Sequence, residues 1–466
     1  MKRVIMKFGG TSVGSGEHIR HVADLINNHL GKGYQMVVVV SALKGVTDAL
    51  IEASEEARSG NRDHVHKLLQ KTTEKHVAAT ENAIKNKSIR KEVEQTLETT
   101  LDELEKVFTG IIYLGELTPK SKDYVLSFGE RMSTLIVWGT LRDLGLSVQY
   151  FTGKDAGIVT DSNFGEARPM MKVTAHQIKQ KIEPLLEKRI IPVVTGYIGA
   201  TQDGEITTLG RGGSDYTATI IAAALEADEV WVWTDVDGLM TSDPKIVPSA
   251  KVIPELSFQE AIEMAIFGAK AMHPRALEPA MEKEIPVRIR NTFNLQNPGT
   301  LIVMEQKIKP KDVVKGITLI KNLALVNVSG AGMVGTPGTA AKIFDILGKN
   351  NINVLMISQS ASEANISFIL QREVLERAVS TLEIALLASG LIHEVTAEDD
   401  VCVVAVVGAG MKGTPGVAAR MFGAVARRGV NMRMIAQGSS ELNISFVVKE
   451  TDGEKAVLAI HEEFKL

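Results

Sequence analysis

A chain of 466 residues exceeds one ordinary core, so two to four domains are expected. With 44% hydrophobic and 23% charged residues it has a globular composition. A net charge of −4, 5% aromatic residues and no basic run argue against a nucleic-acid-tracking surface. No apolar run reaches the roughly 18 residues that span a bilayer. Cys402 is the only cysteine, which excludes disulfides within the chain and zinc-ligand spacings. The start, MKRVIMKFGG, lacks an apolar signal region and a small-residue cleavage site, so a reducing cytoplasm is the expected location.

The first 300 residues alternate strand and helix signals. MKRVIMKF, YQMVVVVSA, KRIIPVVTG (188–196), EVWVWTD (229–235) and IPVRIR (285–290) are near-continuous apolar runs. Runs of this kind separated by helices predict a mainly parallel sheet covered on both faces. Residues 61–109 contain no glycine or proline and carry charges at helical spacing, which predicts a solvated helical insertion, taken as about 61–145. Near 301–312 the chain turns Lys-rich and aperiodic, and a boundary is placed there, closing a first domain at 1–305.

Beyond it lies a repeat. The segment LALVNVSGAGMVGTPG from Leu323 matches VCVVAVVGAGMKGTPG from Val401, with Gly330 aligned to Gly408 and Asn365 to Asn443, an offset of 78 residues. Each copy reads strand, turn, helix, strand, strand, helix, a ferredoxin-like α+β pattern. The second copy ends one strand short, and a strand over 313–320 is expected to complete it. The modules are therefore drawn as 321–397 and as 313–320 plus 398–466.

Gly330-Ala-Gly332-Met-Val-Gly335 and Gly408-Ala-Gly410-Met-Lys-Gly413 satisfy a dinucleotide-binding expression, but no acidic residue closes the next strand and the next element is a hairpin partner. They read instead as tight turns, with Pro337 and Pro415 in the first turn of the following helices.

The chemistry lies earlier. Lys7-Phe8-Gly9-Gly10 runs from a strand into glycines and a helix, where bare amides and an ammonium suit an anion. Thr208-Leu-Gly210-Arg211-Gly212-Gly213-Ser214-Asp215 sets charged residues among glycines. Thr234-Asp235 closes a strand, and Phe267-Gly268-Ala269-Lys270 follows an amphipathic helix. In an open α/β sheet such turns converge at the carboxyl ends of the strands.

KFGGTSV, VVVVSA, SFGERMS, TTLGRGGSDYTA, WTDVDG and FGAKAMHPR stand in one order along the chain, and the set resembles the aspartate kinases of the amino-acid-kinase family. The repeat is similar to their tandem ACT modules. The resemblance implies a three-layer amino-acid-kinase fold followed by two ACT modules. It also implies transfer of the ATP γ-phosphate to the β-carboxylate of L-aspartate, with Mg²⁺ on the phosphates and no protein metal site.

By the same resemblance Lys7 meets the transferring phosphoryl group, Lys270 the nucleotide phosphates, and Asp215 orders the lysines. Phe8, Gly9, Gly10, Thr234, Asp235, Met240 and Lys245 line the nucleotide; Ser41, Thr47, Glu130, Arg211 and Ser214 hold aspartate. Arg211 would clamp a carboxylate and Glu130 the ammonium. Met240 and Lys245 depart from the usual Tyr and Arg, on the nucleotide side only. An effector site is drawn at Leu355, Ile357, Gln359 and Gln437, with threonine favoured over lysine, and a homodimer or larger homo-oligomer joined through the ACT modules is implied. A glutamate-type kinase and a catalytically dead amino-acid sensor remain as alternatives. Since the sequence stops at Leu466, no fused dehydrogenase is expected.

Overall fold

The computed structural model describes residues 1–268, 272–306, 313–387 and 390–466. It divides into two compact units. The first comprises Met1–Leu239, Pro254–Phe258 and the stretch ending at Gln306. The second comprises Met240–Ile253, the helix from Gln259, and the stretch ending at Leu466.

In chain order the elements begin β1 (Arg3–Phe8), α1 (Gly16–Gly31), β2 (Gln35–Val40), α2 (Val46–Arg58), α3 (Arg62–Ala83), α4 (Lys87–Leu114) and α5 (Pro119–Asp143). There follow β3 (Val148–Phe151), α6 (Gly153–Ala156), α7 (Met171–Glu187), β4 (Ile191–Thr195), β5 (Ile198–Ala200), β6 (Ile206–Thr208), α8 (Gly213–Leu225) and β7 (Glu229–Thr234). Next come β8 (Glu255–Ser257), α9 (Phe258–Ile266), α10 (Glu278–Glu282), β9 (Val287–Asn291) and β10 (Thr300–Val303). The repeat supplies β11 (Gly316–Ser329), α11 (Thr339–Lys349), β12 (Met356–Gln359), β13 (Asn365–Gln371), α12 (Leu375–Leu386), β14 (Glu394–Val407), α13 (Val417–Arg427), β15 (Met434–Gln437), β16 (Asn443–Lys449) and α14 (Gly453–Phe464).

The first unit is an eight-stranded sheet in the order β3-β4-β2-β1-β7-β9-β10-β8. Every pairing is parallel except β9 with β10. β1 and β2 are apolar almost throughout because both faces are covered. Val4, Met6 and Phe8 join Met36, Val38 and Val40 in a core shared with α1, α2, α4 and α5, and α8 packs on β1 and β7. The polar stretch after Asn61 forms two helices rather than one. Asn86 caps α4 by accepting from Ser88 and Ile89 N–H, and Asp143 accepts from the N–H groups of Lys85 and Asn86, which fixes the break.

The second unit is an antiparallel sheet in the order β12-β13-β11-β14-β16-β15. Its two central strands are long and serve both halves. Residues 323–329 of β11 pair with β13, while 316–320 pair with 403–407 of β14. Residues 401–407 of β14 pair with β16, and 394–398 pair back on β11. Pro337 and Pro415 do not sit in the first helical turn. Gly338 and Gly416, at φ 83° and 84°, are the N-caps, so each proline lies one residue before its cap. The left-handed glycine delays helix entry by two residues.

Met240–Ile253 and α9 from Gln259 onward precede the boundary read from the sequence, yet they belong to the second unit. Val247 joins a core of Ile317, Val404, Met421, Phe446 and Val457. Glu260 accepts from Ala409 N–H at 2.6 Å, and Asn443 donates to Glu263 at 3.1 Å.

Candidate active site

Lys7 sits near the carboxyl end of β1, in register with Val39 of β2 and Val232 of β7. Only 8% exposed, it needs a counter-charge, and Asp215 supplies it at 2.6 Å from the first turn of α8. The residues that follow are held from both sides. Gly9 N–H donates to Trp233 carbonyl (3.0 Å), Ser41 N–H to Phe8 carbonyl (3.1 Å) and Lys44 N–H to Gly10 carbonyl (3.1 Å). A Cβ on Gly10 would lie 2.8 Å from Ala42 carbonyl oxygen, so only glycine allows this approach. The expectation of a free Gly9 amide for phosphate is corrected. That N–H is already engaged, and Gly9 contributes the shape of the turn beneath the Lys7 ammonium.

α5 is pressed against the turn after β2. Gly129 leaves room for Ala42, whose Cβ would lie 2.9 Å from a Cβ there. Ser133 Oγ donates to Ser41 carbonyl at 2.7 Å. This places Glu130, 4% exposed, beside the Ser41-Ala42 turn, with Oε2 lacking a hydrogen-bond partner. Burial pushes its carboxyl up to about 8, against the opposing pull of Ala42 N–H and the Lys7 charge. A buried carboxylate with an unanswered oxygen is a receptor for a cation. Thr47 lies half-buried in the first turn of α2.

Ser214 packs where Gly196 ends the β4 turn; a Cβ on Gly196 would meet its Oγ at 2.5 Å. Arg211 is exposed between Gly210 (φ 75°) and Gly212 (φ 72°). Burial, with the charges of Arg211 and Arg275, lowers the pKa of the nearby His273 imidazole. A cavity of about 450 Å³ adjoins Arg211, lined by Asp123, Gly165, Tyr197, Thr208 and Gly210 among others. Asp123 and Tyr197 were not singled out in the sequence. Tyr197 has φ 68°, and burial, with the charges of Glu130 and Asp123, raises its hydroxyl pKa to about 12. The available signals were an acid two turns before Glu130 and an aromatic residue directly after a strand-ending Thr-Gly.

Thr234 closes β7 one residue past the carbonyl that grips Gly9, and its hydroxyl donates to the exposed Asp235 at 3.2 Å. Lys270 lies outside the described residues. Met240 and Lys245 fall in the second unit; Met240 bridges to Val252, and Lys245 N–H donates to Asp243. The structure thus gathers Lys7, Phe8, Gly9, Gly10, Ser41, Thr47, Glu130, Ser214, Asp215 and Thr234 around the carboxyl ends of β1, β2, β4 and β7.

In the repeat, Gln359 lines a cavity of about 330 Å³ with Met333, residues 335–340 and Glu363. Leu355 does not line it and packs toward Met356, Ile369 and Met434. Ile357, Gln359 and Gln437 are exposed on the edge strands β12 and β15.

The amino acid kinase family matches residues 2–291, and the ACT domain matches 326–386 and 404–464. Aspartokinase 1, chloroplastic, of Arabidopsis thaliana is 34% identical over 475 residues, covering 99% of this chain and 80% of that protein. The bifunctional aspartokinase/homoserine dehydrogenase 2 of the same plant is 35% identical over 473 residues; the chain spans about half the length of that relative. The crystal structure of E. coli aspartokinase III with aspartate and ADP (R-state) superposes with a TM-score of 0.85 at 30% identity, covering both chains in full. The lysine and aspartate complex (T-state) gives 0.79. The chain belongs to the aspartokinases of the amino acid kinase family, with tandem ACT domains.

Proposed function

We propose that the protein transfers the γ-phosphate of ATP to the β-carboxylate of L-aspartate, giving 4-phospho-L-aspartate and ADP, the entry step to lysine, threonine and methionine. The observation that carries this reading is the buried Lys7–Asp215 pair beside Glu130, whose second carboxylate oxygen is unanswered. The kinship to a structure named for aspartate and ADP supports it.

Aspartate's side chain has an ordinary pKa of about 3.9, so the nucleophile is ionised and no base is required. Its carboxylate oxygen bonds to the γ-phosphorus while the bond from phosphorus to the β,γ-bridging oxygen breaks, and ADP leaves with that electron pair. The obstacle is an anion approaching a polyanion, so the protein's task is positioning and charge neutralisation. Lys7 neutralises charge on the phosphoryl group, and Asp215 fixes its ammonium. Glu130 takes the substrate ammonium, and Arg211 takes a carboxylate through its planar fork. Ser41, Thr47 and Ser214 complete the pocket; Thr234 and Asp235 lie toward the nucleotide. The assignments of Lys270, Met240 and Lys245 to the nucleotide rest on the sequence resemblance alone.

Among the described residues no cluster of His, Cys, Asp or Glu is placed to hold a metal. Mg²⁺ would take its ligands mainly from the phosphates, and when bound it neutralises them. Among the described residues no helix is long and apolar enough to cross a membrane; cytoplasmic location is proposed from the single cysteine.

Control is proposed to come from threonine rather than lysine, at the ACT cavity beside Gln359. The position where an acid would meet a lysine ammonium is Leu355, and Glu363, which lines the cavity, accepts from Gly335 N–H at 2.9 Å through one oxygen. A homodimer joined through the ACT sheet is proposed from exposed Ile357 and Ile435 on its edge strands. Trapping the acyl phosphate as a hydroxamate, with ATP and either aspartate or glutamate, tests the reaction. Product from aspartate supports it; product from glutamate alone overturns it. Potent inhibition by lysine with threonine inert would overturn the effector assignment.

A further inference from the structure

Asp123 is 1% exposed, and every donor that meets it comes from a segment on the Arg211 side of the pocket. Its Oδ2 accepts from Gly165 N–H at 2.9 Å and Thr208 N–H at 2.8 Å, and its Oδ1 accepts from Thr208 Oγ at 2.7 Å. Thr208 ends β6, three residues before Arg211. Gly165 belongs to the loop on which Gly210 rests: a Cβ on Gly210 would lie 3.2 Å from Gly165 carbonyl oxygen. Ala167 N–H closes the arrangement by donating to Thr208 carbonyl at 3.0 Å. One carboxylate therefore grips both walls of the turn that presents Arg211.

The same residue lies on α5, seven positions before Glu130. Two helical turns bring positions seven apart to nearly the same face, about 10 Å along the axis. Asp123 and Tyr197 line one cavity with Gly210 and Arg211, and Leu209 N–H of that turn donates to Tyr197 carbonyl at 2.9 Å. Glu130 and the carboxylate that binds the Arg211 turn are thus carried by one helix, seven positions apart.

We propose that Asp123 is a positioning residue that fixes the distance between Glu130 and the Arg211 turn, and so selects the length of the acidic substrate. The proposal rests on the assignment of Glu130 to the substrate ammonium and Arg211 to a carboxylate. An acceptor one methylene longer needs a wider span, which a turn anchored by three hydrogen bonds to α5 does not supply. A pocket ordinarily resolves one methylene by about ten- to two-hundredfold. Anchoring of this kind is what holds such a difference in place. Burial pushes the Asp123 carboxyl upward while its three donors oppose that.

The test uses the full chain, with hydroxamate assays on aspartate and glutamate. Asp123→Ala is expected to raise KM for aspartate about tenfold and to lower the aspartate-to-glutamate ratio of kcat/KM by a similar factor, with KM for ATP within about twofold. Asp123→Asn should restore the ratio to within about threefold, because its carbonyl can accept both N–H bonds and its amide can donate to Thr208 Oγ. If Asp123→Ala does not fold, Thr208→Val removes one of the three bonds and should shift the ratio in the same direction, about two- to threefold. Equal losses for both acceptors, or an unchanged ratio in the folded variants, would overturn the proposal while leaving the reaction assignment intact. A wild-type protein that phosphorylates no aspartate would overturn both.

Discussion

The Lys7–Asp215–Glu130 cluster and the repeat place their polar groups in opposite ways. In the cluster, Lys7, Asp215 and Glu130 are 8%, 7% and 4% exposed, each contributed once by a different element. In the repeat, Gln359 and Gln437 are exposed on edge strands, and the turns recur in duplicate: Glu363 accepts from Gly335 N–H (2.9 Å), Glu441 from Gly413 N–H (2.7 Å). Buried charges interact strongly because water does not screen them, and each lacks a substitute. Exposed groups are screened, so a single change there acts weakly. The two copies also differ from each other. Among the described residues the first copy's core, around Val326, Ile343, Phe368 and Leu382, contains only repeat residues, whereas the second takes in Val247. The second copy is therefore tied to a segment that the kinase-family match includes, and in the first a cavity lies beside Gln359.

The largest effect should come from Lys7→Ala. Removing a donor that meets charge developing in transfer costs roughly 10² to 10³ in rate. Steady-state kinetics should show kcat falling far more than KM for aspartate rises; retention of half the turnover would reduce Lys7 to a buried structural ion pair.

Glu130→Gln comes next. Loss of a charged hydrogen bond to the substrate ammonium should raise KM for aspartate about ten- to a hundredfold. The pH dependence sharpens the point. With its pKa raised to about 8 in the folded protein, Glu130 must lose a proton to meet the ammonium, so wild-type KM should fall as pH rises from roughly 6 to 8. The Gln variant should be flat there. In stability the sign is opposite to that of a paired carboxylate. The folded state holds this proton between the ordinary 4.5 and about 8 while the unfolded chain releases it, so stability falls as pH rises through that window. Melting curves of Glu130→Gln should lack that decline, and equal slopes for both proteins would show that Glu130 is ionised in the apo fold.

Arg211→Lys should be milder, because Arg211 is exposed. A several-fold rise in KM for aspartate, of order fivefold, is expected with ATP constants unchanged, since an ammonium cannot reproduce two parallel hydrogen bonds. A change in ATP affinity alone would move Arg211 to the nucleotide side.

The smallest effect belongs to the repeat and separates its copies. Gln359→Ala should weaken threonine inhibition about fivefold, the scale of one lost neutral hydrogen bond, and Gln437→Ala should do less. Dose–response curves for the two variants decide it; equal shifts would make the copies equivalent half-sites and remove the contrast between them.

Much of this was legible in the chain. Near-continuous apolar runs at β1, β2, β4 and β7 specify strands buried on both faces, because local hydrophobicity fixes which segments must leave water. The glycine turns marked where backbone comes close, and the 78-residue offset fixed the duplication. What only the tertiary structure decided depends on neighbours distant in sequence. β1 lies between β2 and β7, and α8 packs on β1 and β7 so that its first turn brings Asp215 to Lys7. Packing of α5 on the Ser41-Ala42 turn buries Glu130 and lifts its pKa, which no local pattern contains. Asp123 carries no local signal of its role, because the three donors that close around it come from segments distant in sequence. Met240–Ile253 joins the repeat because Val247 finds its apolar neighbours there. Composition and period determine what must be buried; the partner against which it is buried is settled only when the sheet order brings remote surfaces together.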